Sequence, residues 1–466
     1  MDEAFEVNRR SSRRSAPMPR VCVILSCLAS FSFCALPAWA QSAPAPTGDK
    51  PQGAGELPLR LSLEDALRVF RTRGFDLLIA DAAVQSAEGD TKAAGAVPNP
   101  TWNLAGSYTW AHPAAPGDTI QTPWGVTADI GDGNAIEDSL SGKRGLRLKV
   151  ARAALSAARL QRADAQRQLE FQVKQQYMVA LLARDLLDFS LEIQKSSTKT
   201  YDLMHIRLGA GQISEADEAK VETAKLEADQ AVDTAKNALH VAKLGLAFLL
   251  GVRGKVPEFH VDEDLPVYRV PSALAGANLD DLLNEARSIR PDLMAQQRQR
   301  ERAMASVSLA RRLRVPDLNL NVSYQQQAGT NTNAATPPTL AIGIGGVLPV
   351  FYFQQGEIMH AQADLRTQSV LRDKLEAQVY TDVETAWEQF GTSRKLIERM
   401  QGRLLDRAKY ARDKVEIQYQ KGAASLLEFL DAQRTFIATN QEYYQDLANY
   451  WTAIFQLEQA VGTELK

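Results

Sequence analysis

Residues able to do chemistry are thinly spread along this chain of 466 residues. The three cysteines, Cys22, Cys27 and Cys34, all fall within the first forty positions, which excludes thiolate nucleophiles, thiolate metal sites and disulfides from everything downstream. His112, His205, His240, His260 and His360 are scattered, with no i,i+4 pair and no acidic partner motif, and read as solvated or packed side chains. Neither G-x-S-x-G nor H-E-x-x-H occurs. Gly343-Ile344-Gly345-Gly346 lacks the strand-then-helix setting of a phosphate loop and reads as close-packed strand. No catalytic residue, cofactor or bound metal is expected. Carboxylates remain, most of them on solvated helix faces. Glu428 and Asp431 are one such pair, three residues apart and so on one face of a helix, a spacing that alone reads as another solvated face. Gathered with the same pair from other copies, such acids would raise each other's pKa and favour cations over anions.

The chain that must position them is nearly neutral, with 53 Lys+Arg against 56 Asp+Glu, so it has no basic excess to hold a nucleic acid. At 45% hydrophobic and 23% charged residues it is too polar for a bundle of membrane helices. Arg9, Arg10, Arg13, Arg14 and Arg20 precede an apolar run from Val21 to about Leu36, followed by Ala38-Trp39-Ala40. A basic head, a short apolar centre and an A-x-A site describe a secretory signal over residues 1–40. Acylation at Cys27 is the competing reading, weakened by the few apolar residues between Arg20 and Cys27. Residues 41–57, rich in Pro, Ala and Gly, read as a disordered leader.

An internal repeat organises the rest. Leu63–Leu77 aligns without a gap on Leu279–Leu293, and Gly211–Gly251 matches Gly422–Gly462. The reading is a duplicated unit, 58–251 and 278–466, joined by a proline-bearing linker at 252–277. Prolines are absent from Trp124 to Val256 and from Val350 to the C-terminus, and those stretches are built of good helix formers. Lys143–Leu208 and Gln355–Lys421 each predict a helix roughly 100 Å long at 1.5 Å per residue. Gly209, Gly211 and Gly422 interrupt them, and Ser214 and Ser425 are placed to cap second helices. The last helix carries two neighbouring apolar stripes, one through Phe429, Phe436, Tyr443, Leu447, Tyr450, Ile454, Leu457 and Val461, the other through Leu427, Leu430, Ile437, Tyr444, Trp451 and Phe455. Two seams mean neighbours on both sides, as in a wall of helices.

Strand periodicity appears between the helices, at about 101–111, 124–140, 317–327 and 338–350. Trp102, Leu104, Tyr108 and Trp110 alternate with Asn103, Ala105, Ser107 and Thr109, and Leu318, Leu320, Val322 and Tyr324 with Asn319, Asn321, Ser323 and Gln325. Apolar-out, polar-in alternation over about ten residues is the pattern of an outer-membrane barrel strand. Trp110, Trp124, Tyr324, Phe351, Tyr352 and Phe353 suit an interfacial aromatic girdle. Four strands cannot close a barrel, and an open sheet edge in lipid is prohibitively costly. Several copies must therefore share one barrel: two would give eight strands and a filled interior, three would give twelve and a lumen.

On the duplicated Leu-acidic-acidic entry, on Arg290-Pro291-Asp292-Leu293, and on the junction Gly422–Thr435 (GAASLLEFLDAQRT), the chain resembles the TolC-type outer-membrane efflux channels. Ser141-Gly142-Lys143-Arg144 and Leu348-Pro349-Val350-Phe351 with Gln355-Gly356-Glu357-Ile358 resemble their heavy-metal (cobalt–zinc–cadmium) branch. The resemblance implies a mainly α fold with membrane β: a long α-helical barrel in the periplasm and a shared twelve-stranded transmembrane β-barrel in the outer membrane. It implies a homotrimer that contacts outer-membrane lipid and works with a periplasmic adaptor and an inner-membrane resistance-nodulation-division-type pump, with no nucleic acid partner. It also implies that Glu428 and Asp431 ring a periplasmic gate, and that Arg207, Gly211 and Gly422 form adaptor-contacting tips, although Gln418 stands where a second Arg207 would be.

A periplasmic adaptor or a poreless coiled-coil scaffold is the alternative; adaptors carry one helical hairpin rather than two half-repeats with barrel strands. Residues 112–123 and 326–338 are expected to be extracellular loops. Cysteines introduced at Thr119 and Asn331, on a background lacking the three native ones, should react with an impermeant thiol reagent on intact cells. Absence of labelling would overturn that topology.

Overall fold

The structure, a computed structural model, describes residues 57–108, 110, 120–262, 264–327, 329–330 and 337–465. The expected signal segment, most of the leader and the loop tips at Thr119 and Asn331 lie outside the described residues. Two short helices, α1 (Leu63–Arg73) and α2 (Phe75–Gly95), lead into the first two strands. The long α4 (Lys143–Gly209) and α5 (Glu215–Leu249) follow. The second half repeats the order with α6 (Leu279–Ile289), α7 (Pro291–Arg312), two strands, α8 (Gln355–Arg399), α9 (Leu405–Gln420) and α10 (Leu426–Val461). Gly74 and Arg290, at the α1–α2 and α6–α7 corners, share nearly the same backbone angles, φ −55° and ψ 123° against φ −57° and ψ 122°. No described helix is long and apolar enough to cross a membrane.

The first long helix spans the expected residues, ending one position later. The second does not run unbroken from Gln355: a π-turn at Met400–Leu404 separates α8 from α9. Its wider hydrogen bonding resets the side-chain phase while burying Met400. α10 lies between α8 and α9 on one side and α4 on the other, as its two stripes require. Leu447, Tyr450, Trp451, Ile454, Leu457 and Val461 are buried there, whereas Leu427, counted in the second stripe, is exposed.

The segment 252–277, expected to be a linker, is instead part of the core. Its strand β5 (His260–Val261) pairs in parallel with β1 (Arg60–Leu61), and Phe259, Val261, Leu265 and Leu274 are buried, as is Leu57, which the sequence assigned to the leader. Its carbonyls are claimed by side chains of the long helices. Arg184 donates to Val261 O at 3.1 Å, Trp451 Nε1 to Pro266 O at 2.8 Å and Tyr450 Oη to Arg269 O at 2.9 Å. Burial, and next to it Tyr268, pushes the Tyr450 hydroxyl up to about 12, so it stays a donor. Prolines there set extended backbone, but buried aromatics decide that it packs.

The four main strands form one antiparallel sheet in the order β2 (Thr101–Tyr108), β4 (Trp124–Gly131), β6 (Leu318–Gln326), β8 (Thr339–Gly346). Two short strands, β3 (Ile120–Thr122) and β7 (Gly329–Thr330), pair beyond its loop end. Register puts Trp102, Ile130, Val322 and Ile342 in one row, and Tyr108 opposite Trp124. One whole face is therefore apolar, yet it is open, with Trp102, Ile342 and Ile344 at 79%, 73% and 76% exposure. The six aromatics expected near the strand ends are all exposed as well. β2 and β8 each have one unpaired edge.

The strand expected over 124–140 stops at Gly131. Asp132 Oδ1 accepts from Leu320 N at 2.8 Å and Asn134 N at 3.2 Å, and its other oxygen accepts from Ile136 N. That turn starts α3 (Ala135–Leu140), because a carboxylate satisfies the free amides of a helix start. α3 holds half of a charge cluster that ties sheet to helices. Lys143, with a 2% exposed side chain, lies 2.5 Å from Asp317 and 3.1 Å from Glu137, and it donates to Val315 O at 2.7 Å. Arg147 grips Asp138 through two bonds, and Arg144 donates to Gly95 O at 2.8 Å.

A second charge cluster closes the other corner. Arg290, with a 4% exposed side chain, donates to both oxygens of Asp292, to Asp382 and to Ala460 O, which joins α6 and α7 to α8 and the end of α10. Burial alone would raise the Asp292 carboxyl; Arg290, with Arg167 behind it, holds it below its usual value instead. Arg290→Gln should lower stability by about 3 kcal/mol, because it leaves the buried Asp292 without its nearest cation. A carboxyl held low stabilises fully above its unfolded value near 3.8 and loses that contribution as pH falls below it. Thermal unfolding followed by circular dichroism should thus show a lower midpoint for the variant at pH 7 and a gap that narrows below pH 4.

Candidate functional site

The paired turns where α4 meets α5 and α9 meets α10 bring together all five residues singled out in the sequence. Each turn is built alike, 211 positions apart. After α4, Gly211 N donates to Leu208 O and Gln212 N to Arg207 O, both at 2.9 Å. After α9, Gly422 N donates to Tyr419 O at 3.0 Å and Ala423 N to Gln418 O at 2.8 Å. This hydrogen-bonded stop needs a left-handed residue, and Gly211 and Gly422 supply it at φ of 71° and 74°. Open space surrounds both positions, so the requirement for glycine there is conformational rather than steric. Ser214 and Ser425 then cap α5 and α10 through Asp217 N and Glu428 N, at 3.2 Å each, as expected.

A small apolar cluster holds the two turns against each other. Met204, Val221, Leu426, Phe429 and Leu430 are its buried members, with Tyr201, Ile213, Val415 and Tyr419 around them. Tyr419 stacks on Phe429 with ring centroids 5.3 Å apart and planes 10° apart, and its hydroxyl donates to Met204 Sδ at 3.2 Å. Burial pushes that hydroxyl above its usual range, against the pull of the nearby Arg207 guanidinium. Arg207 is half-buried beside it. Sequence reasoning missed Tyr419; its only signal was an aromatic one position after Gln418, the counterpart of Arg207.

The acids differ between the turns. Asp217 and Lys220 in the first turn correspond to Glu428 and Asp431 in the second. Lys220 Nζ lies 3.0 Å from Asp217 and is the main cause holding that carboxyl low, with Ser214 adding to it. No cation pairs with Glu428 or Asp431 among the described residues, and both are exposed. Glu428 also serves its own helix. Its Oε2 accepts from Ser425 N at 2.7 Å and Ser425 Oγ at 2.9 Å, completing a capping box. The Ser425 backbone N–H and then its hydroxyl hold the Glu428 carboxyl below its usual value. Within one chain the fixed amide dipole therefore sets the direction; the raised pKa expected of gathered acids concerns several copies.

One histidine also departs from expectation. His205 Nδ1 lies 3.1 Å from Glu218 Oε1, and the ring stacks on Tyr201. The turn folds α5 back to bring them together, so no linear motif reveals the pair. No group of three or more His, Cys, Asp or Glu side chains is placed to hold a metal among the described residues.

With fold and turns defined, comparison with known proteins identifies the class. Residues 67–252 and 282–463 match the Outer membrane efflux protein family. The chain belongs to that family and is an outer-membrane efflux channel subunit. It is 24% identical over 410 residues to the cobalt-zinc-cadmium resistance protein CzcC of Cupriavidus metallidurans, covering 86% of this chain and 90% of that one. Its fold matches CusC with a TM-score of 0.70 at 20% identity, over 86% of this chain and 92% of the other. The Campylobacter jejuni CmeC outer membrane channel matches at 0.71 and 15% identity, over 87% and 86% of the two chains.

The Glu428 cap makes a local prediction. A carboxyl held low contributes fully above 4.5 and loses its contribution as pH falls further. Amide exchange at 428–430, corrected for intrinsic rate, should therefore quicken below pH 4.5 in the native protein. In Glu428→Gln, which keeps a capping side chain, that pH dependence should disappear.

Proposed function

We propose that three copies of this chain form the exit duct of a tripartite exporter, with a twelve-stranded β-barrel in the outer membrane and a helical barrel in the periplasm. The observation that carries this reading is the open sheet. An apolar face this exposed calls for lipid, and lipid forbids the free edges of β2 and β8. Joining β2 of one copy to β8 of the next satisfies both demands. The helices support the same closure: α5 packs chiefly on α4, and it presents Leu226, Val241 and Phe248 outward. On the opposite flank α8 exposes Val370, Leu371 and Tyr380. Matching turns and corners in the two halves support descent from a duplicated unit of 58–251 and 278–466, which would give a trimer six similar wall segments.

In this reading the paired turns are the periplasmic end of the duct. Glu428 and Asp431 form its gate, where three copies would bring six unneutralised carboxylates together, and the first turn dilutes them with Lys220 instead of adding to them. Arg207, Gly211 and Gly422 form the tips that meet a periplasmic adaptor, coupled to an inner-membrane resistance-nodulation-division-type pump. Arg207 lies beside Tyr419, so an adaptor that draws on Arg207 would act next to the contact between the turns. Metal cations are the proposed cargo. The similarity to a cobalt-zinc-cadmium resistance protein and a carboxylate-lined entrance support them. The channel passes them without tight binding, which would slow release. A periplasmic adaptor or poreless scaffold has no use for an apolar sheet of this kind.

The test is Glu428→Gln combined with Asp431→Asn, since alanine at 428 would also remove the helix cap. In planar bilayers the double variant should show weaker cation preference and weaker block by trivalent cations from the periplasmic side. Trimers on detergent gels should be unaffected. Unchanged permeability and unchanged block would place these acids outside the pore.

A further inference from the structure

The sheet's other face is polar, and it carries a single charge. Among the four main strands the only Asp, Glu, Lys, Arg or His is Asp129. Its row reads Asn103, Asp129, Ser323, Ala341, and the adjoining row Thr101, Gly131, Asn321, Gly343. Asn103 Nδ2 donates to Asp129 Oδ2 at 3.3 Å; no cation pairs with the carboxylate among the described residues. Amides cover much of the rest. A Cβ at Gly343 would come within 2.4 Å of Asn321 Oδ1, and one at Gly345 within 2.6 Å of Asn319 Oδ1, so these asparagines lie across the β8 backbone. That explains the Gly-Ile-Gly-Gly run. The result is a hydrogen-bonding surface that suits hydrated ions, with one fixed negative charge two residues from the helix-side end of β4.

We propose that Asp129 is a second cation-selecting residue, lining the neck where barrel passes into helices and acting independently of Glu428 and Asp431. The proposal rests on the shared-barrel reading, which turns the polar face inward and makes three copies of Asp129 a ring. Twelve strands about 4.8 Å apart give a barrel of roughly 12 Å backbone radius, which leaves each carboxylate about 8 Å from the axis. That distance is close to the Debye length of about 8 Å at physiological ionic strength and well beyond the roughly 3 Å of 1 M salt. The ring therefore enriches cations along the whole cross-section in dilute salt and fades in concentrated salt. It would favour release of cations outward and resist entry of anions from the medium.

Planar-bilayer recordings of the full channel test this, using Asp129→Asn and Asp129→Lys, each also combined with Glu428→Gln/Asp431→Asn. In 0.1 M KCl, Asp129→Asn should lower the cation-to-anion permeability ratio about threefold. The combined variants should lose the cation preference that the entrance double variant retains. External hexamminecobalt should block Asp129→Asn less than the native channel, and all these differences should shrink in 1 M KCl. Unchanged permeability and unchanged external block in both Asp129 variants would overturn the proposal. Cysteines at Ser323 and Val322 separate this from the barrel reading. Labelling of Ser323→Cys but not Val322→Cys by an impermeant thiol reagent upholds the inward polar face; the reverse pattern would overturn the barrel reading, and the proposal with it.

Discussion

The unpaired edges of one four-stranded sheet constrain everything else in this molecule. In water its apolar face, from Trp102 across to Ile342, would be a large uncovered patch. In lipid its edge amides and carbonyls would lack partners, at several kcal/mol each. Neither solvent accepts the sheet from a lone chain. The exposed flanks of α5 and α8 pose the same problem in the helical layer. Under the proposed closure, the chain is one arc completed by its neighbours.

Given that constraint, the arc must be stiff where its parts join, and buried charge provides the stiffness. Lys143 holds Val315 O, Asp317 and Glu137, so the neck links both halves of the chain through one ammonium. Arg290 does the same at the α6–α7 corner, reaching Asp382 and the end of α10. Buried ion pairs add little net stability over apolar packing, but removing one partner is costly, which gives such joints a single permitted arrangement. The segment 252–277 contributes through its backbone, whose carbonyls are held by Arg184, Tyr450 and Trp451.

The two helix turns show how one backbone can be given two uses. Their glycine stops, serine caps and hydrogen bonds correspond position by position, so local geometry does not distinguish them. Charge does. Asp217 is answered by Lys220, whereas Glu428 is followed by Asp431. A turn that is stable in either form leaves those positions open to differ in charge. Glu428 serves the cap and still presents a full negative charge, since its amide partners favour the ionised state.

Much of this was legible in the sequence, because it follows from short-range rules. Proline-free runs fixed the long helices to within a residue or so at most ends, glycine and serine marked the turns, and period-two alternation separated the sheet's faces. Helical spacing placed Glu428 and Asp431 on one face, but it was the resemblance of the junction Gly422–Thr435, not their spacing, that singled them out from other solvated acids. Other features depended on residues brought together across the fold. The aromatic contacts that turn 252–277 from linker into core, the Asp132 turn that ends β4, and the Arg207–Tyr419 and His205–Glu218 pairs join positions between 13 and 212 residues apart or depend on such contacts. The lone charge of Asp129 was visible as a letter, but only register across four strands gave it a row of amides and a face without other charges. Sequence determined which elements form, since backbone propensity and side-chain period act over a few residues. Tertiary structure decided which polar groups meet, because an unpaired buried donor or acceptor is satisfied by whatever packing brings near.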